Sequence, residues 1–176
     1  LNGYFSALGA CITRNNGIIN KYIGDAIMAI FGAPVPSPDH AGDAFRAAVE
    51  MRAALAELNR GYRAEGRQAV RFGIGIHSGN VFAGTIGSRE RMEYTIIGDT
   101  VNTASRIESL CKDYGTDILV SESTVSRLTS SRLTLAADGP RLSFVDDARI
   151  RGKELPIKVY AARGTETDRE TEAAGR

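Results

Sequence analysis

Two stretches of this sequence carry side chains suited to a polyphosphate and its metal ion. In Lys21-Tyr22-Ile23-Gly24-Asp25 a cation and a carboxylate flank a tight turn between apolar runs. A carboxylate at a hairpin tip can ligate Mg2+, which takes one or two carboxylates together with phosphate oxygens. An ordinary Gly-Asp turn accounts for the same residues. In Gly98-Asp99-Thr100-Val101-Asn102 through Arg106, an amide and a guanidinium fall four residues apart, on one side of a helix whose other side is apolar. The planar guanidinium fork makes paired, charge-assisted hydrogen bonds to phosphate. A solvated helix face also explains this pair. No glycine-rich stretch ends in Gly-Lys-Ser or Gly-Lys-Thr, so a Walker-type phosphate loop is excluded. His77 ends an alternating strand and reads as a packed or rim histidine, and His40 as a solvent-facing one near a helix start.

These side chains need elements to hold them. Tyr4, Phe5, Leu8 and Ile12 recur at helical spacing, and Asn15-Asn16-Gly17 supplies residues that end helices, so residues 1–14 are expected to be helical. Ile18 to Ile23 and Ala26 to Phe31 form two β-type runs joined by Gly24-Asp25, a dipeptide of tight hairpins, which puts Asp25 at the tip. A proline-rich loop follows, and Pro38-Asp39 opens a long amphipathic helix that ends near Gly66. Val70, Phe72, Ile74 and Ile76 alternate with Arg71, Gly73, Gly75 and His77 as a strand does, with the glycines implying close backbone packing. Gly79, Gly84 and Gly87 punctuate a loop or hairpin before a strand at Tyr94 to Ile97. Asp99 caps a helix over 100–111; a strand at 118–121, a short helix near 123–128, and strands near 144–150 and 157–161 complete the domain. The fold class is α+β, a ferredoxin-like sandwich with a mostly antiparallel sheet, helices packed on it and its first strand missing.

Bulk properties set limits on partners. The 176 residues suit one domain, and 43% apolar with 24% charged residues is ordinary for a soluble globular chain without a membrane span. A formal charge of +1, spread along the sequence, offers no field for nucleic acid. Cys11 and Cys111 stand alone among apolar neighbours, which reads as two buried thiols in a reducing cytosol. The opening Leu1-Asn2-Gly3-Tyr4 reads as a fragment of a longer protein, and residues 164–176 as a disordered polar tail.

Lys21-Tyr-Ile-Gly-Asp25-Ala-Ile-Met-Ala29, Phe72-Gly-Ile-Gly-Ile-His-Ser-Gly79, Tyr94-Thr-Ile-Ile-Gly-Asp-Thr-Val-Asn102-Thr-Ala-Ser-Arg106 and Ile150-Arg-Gly-Lys153 together resemble, in order and spacing, the class III adenylate and guanylate cyclase catalytic domains. The resemblance runs from residue 1 to about residue 163. It implies that Asp25 is the second of two metal-binding aspartates, that Lys21 and Thr95 read adenine, and that Asn102 and Arg106 act on the transition state. It also implies that Arg151 or Lys153 holds the β- and γ-phosphates, Arg151 standing where the family usually has Lys. An ammonium donates to a ring acceptor of adenine and the Thr95 hydroxyl accepts from the exocyclic amine. Guanylate cyclases, typically with Glu and Cys there, match the reversed edge of guanine. The Lys/Thr pair resembles a bacterial adenylate cyclase subclass.

The implied reaction is attack of the ribose 3′ oxygen of ATP on its α-phosphorus, giving cyclic AMP and pyrophosphate with two Mg2+ or Mn2+ ions per site. A head-to-tail homodimer, a regulatory domain elsewhere in the parent chain and a cytoplasmic catalytic domain are further implications, with membrane anchoring of the parent left open. The family's first metal aspartate lies on a strand preceding the helix at residues 1–14, so this fragment is expected to catalyse little. A guanylate cyclase and a non-catalytic cyclase-like module that binds nucleotide or merely dimerises are the competing readings.

Overall fold

The computed structural model describes residues 2–88, 91–128 and 141–163; the expected tail at 164–176 lies outside them. In chain order the elements are α1 (Asn2–Arg14), β1 (Gly17–Ile23), β2 (Ala26–Phe31), α2 (His40–Ala64), β3 (Ile74–Ile76), β4 (Phe82–Ser88), β5 (Arg91–Ile97), α3 (Asp99–Asp113), β6 (Ile118–Ser121), α4 (Glu122–Val125), β7 (Arg141–Ala148) and β8 (Ile157–Arg163). The described residues fall into two compact units, one drawn from Leu1–Phe72 and Gly79–Asn102, the other from Gly73–Ser78 and Thr103–Arg176. No described helix is long and apolar enough to cross a membrane.

In the first unit, α1 ends where Asn16 takes a left-handed φ of 61°, and β1 and β2 form an antiparallel hairpin closed by Gly24 and Asp25. Only Gly24 of that pair has a positive φ, 63°, the sign pattern of a type II′ turn, which suits the right-handed twist of hairpin strands. Leu8, Cys11 and Ile12 of α1, Ile30 of β2 and Phe45, Ala48 and Leu55 of α2 are buried. β4 and β5 make a second antiparallel hairpin, with Phe82 opposite Ile97 and Gly84 opposite Thr95. β4 is a strand of seven residues, so of the loop or hairpin that the glycine spacing suggested, the hairpin is what forms.

The second unit is built on a four-stranded sheet of order β3-β6-β8-β7, in which only β3 and β6 run parallel. All four residues of β6 are buried. Ile107 and Cys111 of α3 join Leu119, Ala148, Ile150, Val159 and Ala161 in its core. The glycines of the β3 region allow this packing: a Cβ on Gly75 would lie 2.4 Å from the Ala104 carbonyl oxygen and 2.4 Å from the Glu108 amide nitrogen, so α3 rests on bare backbone. Both cysteines are free and buried. Burial pushes the Cys111 thiol up to about 11, which keeps it protonated and inert.

Mixed α+β architecture with mostly antiparallel pairing matches the expectation, with two differences. The described strands group into three hydrogen-bonded sheets instead of one. The alternating run from Val70 is a strand only over Ile74–Ile76. At Val70 the Asn59 side chain takes the place of a strand partner: its amide nitrogen donates to the Val70 carbonyl at 2.8 Å, and its carbonyl accepts the Val70 N–H at 2.8 Å. Both backbone groups that a neighbouring strand would use are thereby taken.

Candidate nucleotide-cyclising site

Asp25 is exposed at the β1–β2 tip, as its turn position requires. Tyr4 of α1 feels it: burial chiefly, and then the Asp25 charge, raise the Tyr4 phenol above its ordinary value. The ring of Phe5, next along α1, meets Tyr22 of β1 at 4.7 Å between centroids, so one face of β1 lies on α1.

Lys21 lies on the other face, and a bulge puts it there. Ile19 pairs with Ala29 but Lys21 with Met28, so Asn20 is an extra residue in β1. Cross-strand partners share a face and successive residues alternate. Ile19 and Tyr22 therefore share the α1 side, and the half-buried Lys21 lies opposite. Plain alternation would have set Lys21 beside Ile19.

The displaced Asn20 reaches β5. Its amide nitrogen donates to the Tyr94 carbonyl at 3.2 Å, and its carbonyl oxygen accepts the Thr95 hydroxyl at 3.3 Å. Thr95 is thus held one residue along β1 from Lys21. In the sequence Asn20 is marked only as a polar residue within the β-type run Ile18 to Ile23.

Asn102 is exposed on α3, and Arg106 follows one helical turn later, half-buried. The Arg106 guanidinium donates to the main-chain carbonyl of Arg151. That carbonyl sits in a tight turn: the Lys153 N–H donates to the Ile150 carbonyl at 3.0 Å, and Gly152 has φ 79°, the glycine-requiring third position of a type II turn. Arg106 is therefore anchored to the very turn that carries Arg151 and Lys153. Arg151 is exposed and Lys153 half-buried. Nothing in the sequence marks Gly152 as the residue that shapes this anchor.

Among the described residues no three His, Cys, Asp or Glu side chains gather as a ready metal site. Asp25 offers an exposed carboxylate, a hard oxygen donor of the kind that Mg2+ or Mn2+ takes together with phosphate oxygens. His77 has a different occupation, its Nδ1 lying 2.9 Å from Ser121 Oγ and 3.2 Å from Ser123 Oγ in a hydroxyl network that includes Ser78 and Thr124. This agrees with a packed histidine.

A two-hairpin unit and a mixed sheet under an amphipathic helix are the architecture of this chain, and the family model described as the adenylate and guanylate cyclase catalytic domain matches residues 1–163. The chain belongs to that family. Adenylate cyclase 1 of Rhizobium meliloti is 33% identical over 99% of this chain, and the adenylate cyclase of Anabaena cylindrica 38% identical over 91%. The chain spans 25% and 31% of the lengths of those two proteins. Among solved structures, the guanylyl cyclase Cya2 is 34% identical with a TM-score of 0.77, covering 94% of this chain and 79% of that one. The adenylyl cyclase CyaB from P. aeruginosa is 28% identical with a TM-score of 0.78, covering 93% and 80%.

Proposed function

We propose that this chain is the catalytic domain of an adenylate cyclase, converting ATP to 3′,5′-cyclic AMP and pyrophosphate as a head-to-tail homodimer. The ribose 3′ oxygen attacks the α-phosphorus, the bond from that phosphorus to the α–β bridging oxygen breaks, and pyrophosphate departs. Asn102 orients the ribose and Arg106 stabilises charge developing on the α-phosphate, with one of its five N–H donors already fixed on the Arg151 carbonyl. Arg151 or Lys153 holds the terminal phosphates. Asp25 contributes one ligand to Mg2+ or Mn2+, and the other aspartate, the family's first, comes from a strand preceding α1. When bound, two such ions neutralise the triphosphate and make the 3′ hydroxyl more acidic.

Overall likeness does not choose the base, because similar identities link the chain to an adenylate cyclase and to a guanylyl cyclase. The observation that carries the choice of ATP is the Lys21 and Thr95 pair, coupled through Asn20. What supports a dimer is one apolar face of the β4–β5 hairpin, where Phe82 and Ile97 lie opposite each other and are each more than half exposed. The greater length of the curated relatives supports a regulatory domain elsewhere in the protein. ATP as substrate and two buried thiols suit a cytoplasmic catalytic domain.

Turnover of the two nucleotides tests this reading, in a protein that includes the aspartate-bearing strand. Cyclic AMP from ATP should exceed cyclic GMP from GTP by roughly tenfold or more in kcat/KM, the scale set by mismatched hydrogen-bonding groups at a base edge. Equal use of both would remove the role given to Lys21. A non-catalytic module would need none of Asp25, Asn102 and Arg106, and it would form no cyclic nucleotide at all.

A further inference from the structure

We propose that Asn20 is a positioning residue that fixes the direction of the Thr95 hydroxyl proton, and so makes Thr95 an acceptor towards the base and sets the discrimination between adenine and guanine. This rests on the adenylate cyclase reading and adds a residue to it.

A threonine hydroxyl has one proton and two lone pairs, so by itself it reads neither base strictly: it accepts from the adenine amine or donates to the guanine carbonyl by rotating. The neighbourhood of Thr95 removes that freedom. The Tyr94 carbonyl can only accept, so the Asn20 amide must turn its nitrogen towards it, as the 3.2 Å contact has it. The amide carbonyl is then the atom left facing Thr95, at 3.3 Å. At 3.3 Å the two oxygens are within reach of a long hydrogen bond, and of the two only the hydroxyl has a proton to donate. The single Thr95 proton is committed to Asn20, and the lone pairs remain for the ligand. Adenine presents an amine donor to such a group. Guanine presents a carbonyl, and two acceptors repel.

The backbone makes the arrangement possible. Asn20 reaches β5 because the bulge leaves it outside the β1–β2 register. The same bulge turns Lys21 to the face away from α1, so one local irregularity orients both base-reading residues. Gly84, directly opposite Thr95 in the hairpin, adds no side chain on that face.

The test compares kcat/KM for ATP and for GTP in the full-length protein, with dissociation constants of the fluorescent N-methylanthraniloyl derivatives of ATP and GTP measured on the same preparations. Asn20→Ala should lower the ATP-to-GTP ratio by roughly threefold to tenfold, the range of one hydrogen bond, mainly by improving use of GTP. Thr95→Val should lower the ratio as well, and Asn20→Ala added to Thr95→Val should change it no further. Asn20→Asp, which can still accept the hydroxyl proton, should keep more of the preference than Asn20→Ala. A purely structural Asn20 would depress both nucleotides equally and leave the ratio alone, and that result overturns the proposal. So does a shift that persists undiminished in the Thr95→Val background. If the unmutated protein prefers ATP and neither Asn20→Ala nor Thr95→Val alters the ratio, this inference fails while the adenylate cyclase reading stands. If the unmutated protein uses GTP as readily as ATP, the underlying reading fails and takes the inference with it.

Discussion

Asp25 occupies the second position of a two-residue turn in which Gly24 alone takes the strained sign of φ, so the turn does not demand a special residue at Asp25. It is exposed, and its charge reaches Tyr4 only as a secondary influence. Replacement by alanine should therefore leave the thermal midpoint within a few degrees while cyclisation falls to background; a 0.5 kcal/mol surface effect is about the most expected at such a site. Retained activity in Asp25→Ala would reduce the residue to turn chemistry. The contrast with Lys21 shows what a sequence discloses at this scale. Asp25 was readable because Gly-Asp fixes a turn locally. The facing of Lys21 was not, because it depends on a bulge that appears only when β1 is laid against β2 and the register skips Asn20. The motif therefore named the residue, and only the ladder revealed which face it occupies.

Elements position the chemistry through two close approaches. The first is α3 on β3, where the Gly75 α-carbon lies against the helix backbone with no room for a methyl group. Gly75→Ala should push the helix off the strand and destabilise the protein by about 1–3 kcal/mol, the range for overpacking a tight contact, read as a lower denaturant midpoint. An unchanged midpoint would mean that the helix has slack on the strand. The second is the turn from Ile150 to Lys153, which aims the Arg151 carbonyl at Arg106. Alanine at Gly152 must adopt a φ of 79° or give up the turn, and its Cβ would come 3.1 Å from the Arg106 guanidinium. We expect kcat to fall roughly tenfold with KM for ATP changed less, since about 1–2 kcal/mol of backbone strain is to be relieved by releasing the anchor. An unaltered kcat would show that Arg106 keeps its place without that carbonyl. At this scale the sequence disclosed most of the strands and helices through periodicity, and the two β3 glycines announced close packing. It overextended β3, and at Val70 the reason is visible: a side chain, Asn59, satisfies the backbone in place of a neighbouring strand, and alternation carries no trace of that competitor.

At the scale of the whole molecule the proposal is a division of labour between two identical chains, supported by the apolar face of the β4–β5 hairpin and open to a test that needs no structure of the assembly. In a head-to-tail dimer each site takes Asp25 from one chain and Arg106 from the other, and two-fold symmetry repeats the arrangement. Asp25→Ala alone leaves every site without its carboxylate, and Arg106→Ala alone leaves every site without its guanidinium, so each homodimer should be inactive. In a dimer of one chain of each kind, one site combines both lesions and the other combines intact Asp25 with intact Arg106. Random exchange makes about half the dimers mixed, each with one competent site of two, so equal mixing should restore roughly a quarter of wild-type activity. Titrating one variant into a fixed amount of the other should raise activity with the mixed fraction and then saturate. If both residues served one chain's own site, no mixture could assemble an intact site and activity would stay at background. The same background, with exchange demonstrated by a tag on one chain, would refute the shared site and leave the apolar hairpin face to another partner.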